Sequence, residues 1–371
     1  MIIRIVLFIA LAAACTTQFF PDGDENPELL VVEGLITDQN RVYRIKLSRS
    51  TPIGTPLARK IVKGANVTIT DEKGAVTTLK ELLPGTYSTD STQFRGRIGG
   101  RYSLKVKINN SNYETDYIEM KPVPPIDSLY YEKVVITPSK DSMYIEEGCN
   151  IYIDAYDPGN KCLYYRWDYV ETWEYRIPYS VANQICWITE RSDEILIKNT
   201  SVYSQARVTK YPIIFVTDET DRLKVKYSIL VNQYSLDESE YDFWEKVQSV
   251  SENVGNLYDI TPATITGNIR CTTDPGEIVL GYFSVSAVTQ KRLFVVDEFL
   301  GLPTFYSYCA TDTIFGDLPE GLNSTYWIIE DYANEIPPTY VITTFRECAD
   351  CTTEGTKVKP PFWEDQYPTI K

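Results

Sequence analysis

The segments LLVVEGLI (29–36), YRIKLS (43–48), NVTIT (66–70) and RYSLKVKI (101–108) alternate apolar with polar residues. A period of two is typical of strands that bury one face, and turn-forming residues separate these segments. A sheet of this kind needs a second sheet to cover its apolar face. The pattern therefore predicts an antiparallel β-sandwich, immunoglobulin-like or transthyretin-like, over residues 29–121.

A larger, sandwich-type β domain is predicted to follow at 129–345. The intervening PVPPIDS (122–128) favours a stiff linker, because each proline fixes its own backbone and restrains the residue before it. Within the second domain the apolar period changes once, at about 236–253, to spacings of three and four, which predicts one inserted amphipathic helix. Ser235 precedes Glu238 by three residues, as in a capping box. The predicted fold class is mainly β.

The beginning of the chain predicts export and attachment to lipid. Arg4 precedes a short apolar run that ends in three alanines and Cys15, so residues 1–14 have the order of a bacterial lipoprotein signal peptide. The thiol of Cys15 is then the expected lipidation site. An ordinary secretory signal followed by an incidental cysteine is the alternative. Residues 15–28 carry proline, glycine and acidic residues without a period, which indicates a lipidated, flexible tether.

Composition excludes several classes of function. The chain has 36 Lys and Arg against 51 Asp and Glu, a net charge of −15, and such a surface repels nucleic acid and anionic membrane faces. It has no histidine, which removes Ser-His-Asp and Cys-His catalysis and His-ligated zinc. We therefore expect a non-enzymatic protein with no nucleic-acid partner, no metal site and no cofactor, and we assign no catalytic residues.

Eight cysteines are present, and lipidation of Cys15 leaves seven. Disulfides are the default in an exported chain, and an odd number leaves at least one thiol free or paired with another molecule. Cys348 and Cys351 form a CxxC in the predicted tail, residues 346–371, with neither a second CxxC nor a βαβ context. This favours structural cysteines, as one disulfide or as two separate bridges that pin the tail, over a zinc or redox site.

The most aromatic stretch of the chain is LYYRWDYVETWEYRIPY (163–179). Tyr165, Trp167 and Tyr169 recur with a period of two, which places them on one face of a strand. A core strand, like the one that carries the buried Trp of immunoglobulin-type sandwiches, is the favoured interpretation. A stacking platform for a glycan or peptide ligand is the alternative.

Four positions match a short pattern for O-glycosylation, Asp followed by Ser or Thr and then an apolar residue or Thr. They are Ser128, Ser91, Ser142 and Thr313. Ser128 is the preferred site, because a glycan in the proline linker would meet little steric conflict.

Seven segments together resemble an uncharacterised family of Bacteroidota outer-membrane lipoproteins, domain of unknown function 4249. They are LVVEGLITD (30–38), YRIKLSRS (43–50), PIDSLYYE (125–132), YSILVNQYSLDESEYDFWEKV (227–247), PATITGNIRC (262–271), VLGYFSVS (279–286) and CADCTTEGTKVKPPFW (348–363). The resemblance implies a lipid-anchored outer-membrane protein often encoded beside TonB-dependent receptors, without an established activity. Asp22, Asp24 and Glu25 also resemble the acidic signal that places such lipoproteins on the cell surface.

These observations lead to one expected function and two alternatives. We expect an accessory protein that captures or presents a substrate beside a TonB-dependent receptor. The first alternative is a carboxylate-based hydrolase acting on glycan or peptide, and the second is a structural or adhesive surface lipoprotein. Paired carboxylates in a deep cleft would favour the hydrolase, and an exposed aromatic binding face would favour capture.

Overall fold

The computed structural model describes residues 28–51, 60–90, 94–136, 146–253, 265–296, 309–318, 327–343 and 345–363. The predicted signal peptide, Cys15 and most of the predicted tether lie outside these residues. Strands dominate the described part of the chain, which confirms the mainly-β prediction. None of its helices is long and apolar enough to cross a membrane.

The described residues form twenty-three strands and one α-helix. They are β1 (Leu30–Ile36), β2 (Arg44–Arg49), β3 (Lys60–Ile61), β4 (Asn66–Asp71), β5 (Val76–Thr78), β6 (Lys80–Leu83), β7 (Thr86–Ser88), β8 (Arg101–Ile108), β9 (Ser111–Thr115), β10 (Ile118–Glu119), β11 (Ile126–Ile136), β12 (Glu146–Asp157), β13 (Tyr164–Arg176), β14 (Ile185–Arg191), β15 (Leu196–Asn199), β16 (Ala206–Thr217), β17 (Lys226–Leu236), α1 (Glu238–Asn253), β18 (Ile269–Cys271), β19 (Val279–Val285), β20 (Val288–Val296), β21 (Thr311–Phe315), β22 (Trp327–Tyr332) and β23 (Thr339–Thr343).

The first sandwich consists of two six-stranded sheets. One has the order β19-β1-β2-β7-β6 with β3 beside β2, and the other has the order β18-β9-β8-β4-β5 with β10 beside β8. Val32 and Leu47 of the first sheet share one buried core with Ile69 and Leu104 of the second. The alternation seen in the sequence therefore directs one face of each sheet into a common interior.

Two strands return to the first sandwich from late in the chain. β19 runs parallel to β1, with Leu30 opposite Val279, and β18 pairs antiparallel with β9. The sequence placed residues 269–285 in the second domain, and the structure corrects the predicted range 129–345 at these strands. Periodicity identifies a strand but not its partner, and a parallel partner can be distant in the chain.

The second sandwich packs the sheet β11-β12-β16 against the sheet β14-β13-β17-β20, in which β15 also pairs with β13. Ile151 and Val208 of the first sheet share a core with Trp167 and Ile229 of the second. A separate small sheet, β21-β23-β22, lies near the end of the described chain.

The chain crosses between the two sandwiches at buried, hydrogen-bonded positions. The crossing at Ser286 and Ala287 is fully buried, and the Ser286 amide donates to the Ile36 carbonyl at 3.1 Å. The predicted proline linker is shorter than expected, because β11 already begins at Ile126. Its Pro124 carbonyl accepts hydrogen bonds from the side chains of Gln233 and Thr289, at 2.9 and 3.1 Å. These contacts fix the sandwiches to each other at the junction.

The predicted helix is present, but its N-cap differs from the prediction. Ser235 remains in β17, where its hydroxyl donates to the Lys121 carbonyl at 2.7 Å. Asp237 is the N-cap instead, and its carboxylate accepts from the Glu240 amide at 2.8 Å. Aspartate caps a helix about as well as serine. Because β17 stays paired with β13 through Leu236, the helix begins after Leu236 and Asp237 becomes its N-cap.

Two buried disulfides hold the tail. Cys186 bonds to Cys351 and Cys309 bonds to Cys348, which matches the two-bridge alternative for the CxxC. The three remaining cysteines of the described chain are unpaired and buried. They are Cys149, Cys162 and Cys271.

Candidate functional site

A cleft of about 430 Å³ lies between the first sandwich and the helix of the second. Its floor is the outer face of β1, β2 and β19. Its opposite wall is formed by α1 and by Arg166 of β13. Clefts between domains are common positions for ligand sites, because two separately folded surfaces converge there.

Alternation along β1 supplies the floor. Val32 and Ile36 point into the core, so Glu33 and Leu35 lie on the outer face. Glu33 is in register with Lys46 on β2 and with Tyr282 on β19. A basic, an acidic and an aromatic side chain therefore stand in one row across three strands.

Gly281 allows β19 to run close beside β1. Its φ is +85°, a region that favours glycine, and a Cβ built there would lie 2.2 Å from the Val32 carbonyl oxygen. This close approach brings Tyr282 to the floor of the cleft.

Aromatic side chains form the apolar part of the wall. The Phe243 and Trp244 ring centroids lie 5.3 Å apart, and those of Phe243 and Tyr282 lie 4.8 Å apart. The Ser239 and Tyr282 hydroxyls are hydrogen-bonded at 3.1 Å. On its other side α1 contacts the second sandwich through Tyr241, so the helix is fixed to both sandwiches.

Arg166 contributes a largely buried cation. Its guanidinium lies 4.6 Å from the Trp244 ring centroid and 5.1 Å from that of Tyr234, distances typical of cation–π contacts. Among the described residues its closest carboxylate oxygen, on Asp168, is 4.0 Å away, and its Nε has no hydrogen-bond partner. The geometry therefore holds a flat cation between two rings with little direct ion pairing.

Glu240 lies behind this wall. Burial raises the pKa of its carboxyl group to about 7, while the Arg166 charge and the Ser284 hydroxyl act in the opposite direction. The Trp244 indole donates to Glu240 Oε1 at 3.3 Å. A titratable acid thus contacts the same side chains that form the cleft.

The charge of the cleft differs from that of the whole chain. Its lining includes three basic side chains, Arg44, Lys46 and Arg166, and one acidic side chain, Glu33. The whole chain carries a net charge of −15. The cleft is therefore a local basic surface with an apolar wall, an arrangement suited to an anion that also has an apolar part.

Comparison with known families finds one family that matches most of the chain. A family model described as domain of unknown function (DUF4249) matches residues 16–292 of the 371. The chain belongs to the DUF4249 family. The DUF4249 match includes every residue that lines the cleft and ends within β20, before the small sheet and the tail. No curated protein matches the chain.

The aromatic strand of this DUF4249 protein is a core strand. Tyr165, Trp167 and Tyr169 are 0, 1 and 4% exposed, so a ligand has no access to their faces and the stacking alternative is wrong for these residues. Trp167 stacks on Tyr211 at 4.6 Å and donates through Nε1 to Gln233 at 3.0 Å. The two sheets of the second sandwich cover the three aromatic side chains that the sequence pattern identified.

The sequence patterns did not predict that the opposite face of the same strand contributes to the cleft. Arg166 alternates with Tyr165 and Trp167, so it points away from the core and into the cleft. An arginine in the middle of an aromatic strand was the available signal. Arg44, Lys46 and Phe243 carry no such signal, because only the tertiary fold brings them together.

The structure describes two of the four candidate glycosylation positions. Ser128 lies within β11, partly buried and opposite Asp154, rather than in a free linker. Thr313 is exposed on β21. Ser91 and Ser142 lie outside the described residues.

Carboxylates gather at a neighbouring cavity of about 400 Å³ that shares Tyr282 with the cleft. Asp116 there accepts from Arg270 at 2.7 Å, and Asp237 caps α1. Two of its three carboxylates, those of Asp116 and Asp237, therefore have structural partners, and the third, Glu119, is exposed. In the described part of the DUF4249 chain, no three Cys, Asp or Glu side chains are grouped as metal ligands.

Proposed function

We propose that this DUF4249 protein is a lipid-anchored, surface-exposed outer-membrane lipoprotein. It captures a small ligand in the cleft between the first sandwich and α1, here called the junction cleft, and presents the ligand to a neighbouring TonB-dependent receptor. The observation that carries the proposal is the cleft itself. It is concave, its wall is largely apolar and aromatic, and a few charged side chains converge on it, which is the usual composition of a small-molecule site.

The junction supports capture because it is preorganised. The crossing at Ser286 and Ala287 is fully buried, and Phe243 packs on Tyr282 across the cleft edge. A preformed site loses less free energy to ordering when a ligand binds.

Attachment supports presentation. A lipid on Cys15 and a flexible tether would confine the cleft to the membrane surface, where the effective concentration beside a receptor is high. A weak contact with the receptor would then suffice. The chain's acidic surface gives it no electrostatic attraction to anionic lipid, so the lipid supplies the attachment.

Transport in cells tests the proposal. A strain that lacks this protein is complemented with the wild type, with Val247→Trp, which fills the cleft, or with Lys246→Trp, which adds the same bulk one residue away on an exposed part of α1. We expect uptake through the receptor that crosslinks to this protein to be restored by the wild type and Lys246→Trp, but not by Val247→Trp. Normal uptake in the deletion strain would overturn the proposal and favour the adhesive alternative.

A further inference from the structure

The side chains of the cleft indicate which ligands it accepts. We infer that the cleft binds a small amphipathic anion, whose acidic group lies at Arg44 and Lys46 and whose flat apolar group lies against Phe243 and Trp244. This inference rests on the capture function proposed above and adds the ligand class.

The basic side chains of β2 support the anionic part. Arg44 and Lys46 are both exposed and alternate on the outer face of the strand. None of the salt bridges among the described residues involves Arg44. Glu33 is the one acidic side chain that lines the cleft, so a cationic ligand would meet net repulsion. An acidic group on the ligand would instead complete charge-assisted hydrogen bonds.

The wall supports the apolar part. Trp244, Leu35 and Val247 are partly exposed on the cleft, and Phe243 and Tyr282, 9 and 7% exposed, contribute smaller parts of its lining. A neutral sugar would stack on the rings but would leave Arg44 and Lys46 without an anionic partner. A flat hydrocarbon group would lose contact with water on binding and gain ring contacts worth about 0.5–1.5 kcal/mol each.

Arg166, which forms part of the wall, also supports an anionic ligand. Its guanidinium is stacked on Trp244, its closest carboxylate oxygen among the described residues is on Asp168 at 4.0 Å, and its charge also acts on the buried Glu240 carboxyl group. A cation held by rings rather than by a close ion pair retains attraction for an incoming anion. Three cations therefore surround the apolar surface from two different domains.

Two fluorescent probes that differ by one charged group test the inference. 1-Anilinonaphthalene-8-sulfonate carries a sulfonate, and N-phenyl-1-naphthylamine has the same rings without it. Both are titrated against the full mature chain with Cys15→Ser, which keeps the protein free of lipid. We expect one site per chain and a preference of about tenfold for the sulfonate over the neutral probe.

Variants locate the site. Arg44→Gln with Lys46→Gln should reduce the preference to threefold or less while the affinity for the neutral probe is retained. Lys73→Gln with Lys80→Gln removes two other exposed cations of the same sandwich and should change nothing. Val247→Trp should abolish binding of both probes. Circular dichroism and thermal unfolding confirm that each variant is folded.

The outcomes separate the ligand class from the function. If both probes bind the cleft equally, capture stands and the anionic class is overturned. If sulfonate binding persists in Val247→Trp, the cleft assignment is overturned. If neither probe binds the folded protein, the amphipathic-anion class is overturned, and the uptake experiment decides the capture function separately.

Discussion

Glu240 is buried at the point where α1 meets both sandwiches. Arg166, Ser284 and Trp244 contact or face its carboxyl group, and Asp237 adds a second negative charge. Burial raises the pKa of Glu240 from the ordinary value of 4.5 to about 7 in the folded protein. Between these two pH values the folded state binds a proton that the unfolded state has released.

This difference makes stability depend on pH. The stabilisation of the folded protein by the protonated Glu240 carboxyl group, relative to its ionised form, is fully present below about pH 4.5. It is lost as pH rises through 7. The shift corresponds to a decrease in the free energy of unfolding on the order of 3 kcal/mol across that range. The chain has no histidine, so no imidazole titrates there and obscures the effect.

Glu240→Gln should remove this pH dependence, because the amide cannot titrate. We expect the unfolding free energy of the variant to decrease less than that of the wild type between pH 4.5 and 7.5, measured by urea unfolding. Burial also raises the pKa of the Glu171 carboxyl group, so part of the decrease should remain. Glu238→Gln, an exposed change in the first turn of the same helix, should keep the wild-type slope. A wild-type protein whose stability does not change over this range would contradict the account of Glu240.

At the scale of elements, patterns within one segment predicted local structure well. The α1 region and the core role of β13 follow from periods of about 3.6 and 2, which local sequence contains. The N-cap shifted from Ser235 to Asp237 because β17 pairs through Leu236. That pairing involves a strand distant in sequence, which a local pattern does not report.

Gly281 is the residue that β19 requires in order to pair with β1. Gly281→Ala would place a methyl group against the Val32 carbonyl in a backbone conformation that disfavours a side chain. We expect a loss of about 2 kcal/mol or more in unfolding free energy. Gly276→Ala is the control, since its new Cβ would meet only Asp274 at 3.4 Å. Equal stability of the two variants would show that β19 does not approach β1 as described.

The two tail disulfides can be mapped directly. Non-reducing peptide mass spectrometry of protein made by export should recover Cys186–Cys351 and Cys309–Cys348. Replacing Cys186 and Cys351 together with serine should destabilise the tail by about 2–4 kcal/mol and expose it to protease. Anionic probe binding should be unchanged, because the cleft shares no residue with the tail. A Cys348–Cys351 bridge in the mass map would contradict this connectivity.

For the whole molecule, the sequence predicted the fold class and the family, but not the cleft. Arg44, Arg166 and Phe243 come from different strands and a helix, and no motif connects them. The parallel pairing of β19 with β1 joins residues about 250 positions apart, so periodicity could not place it. The cleft depends on that pairing, because β19 carries Tyr282 and Ser284 to it.

Attachment through Cys15 stays a prediction and is tested on the whole protein. The lipidated form should remain in the membrane fraction through high-salt and carbonate washes, which release electrostatically bound proteins. Cys15→Ser should appear as soluble protein, because the chain's negative charge gives it no electrostatic attraction to an anionic membrane face. An unchanged membrane fraction for this variant would contradict lipid anchoring.

Hydrogen–deuterium exchange with saturating 1-anilinonaphthalene-8-sulfonate tests most directly whether the junction cleft is the ligand site. We expect slower exchange in peptides covering residues 30–47 and 238–250, which form the floor and the wall, and no change in residues 146–157 and 206–217 of the β11-β12-β16 sheet, which does not line the cleft. Val247→Trp should abolish this protection. Protection confined to residues outside the cleft, or the same protection in Val247→Trp, would contradict the assignment of the cleft as the binding site.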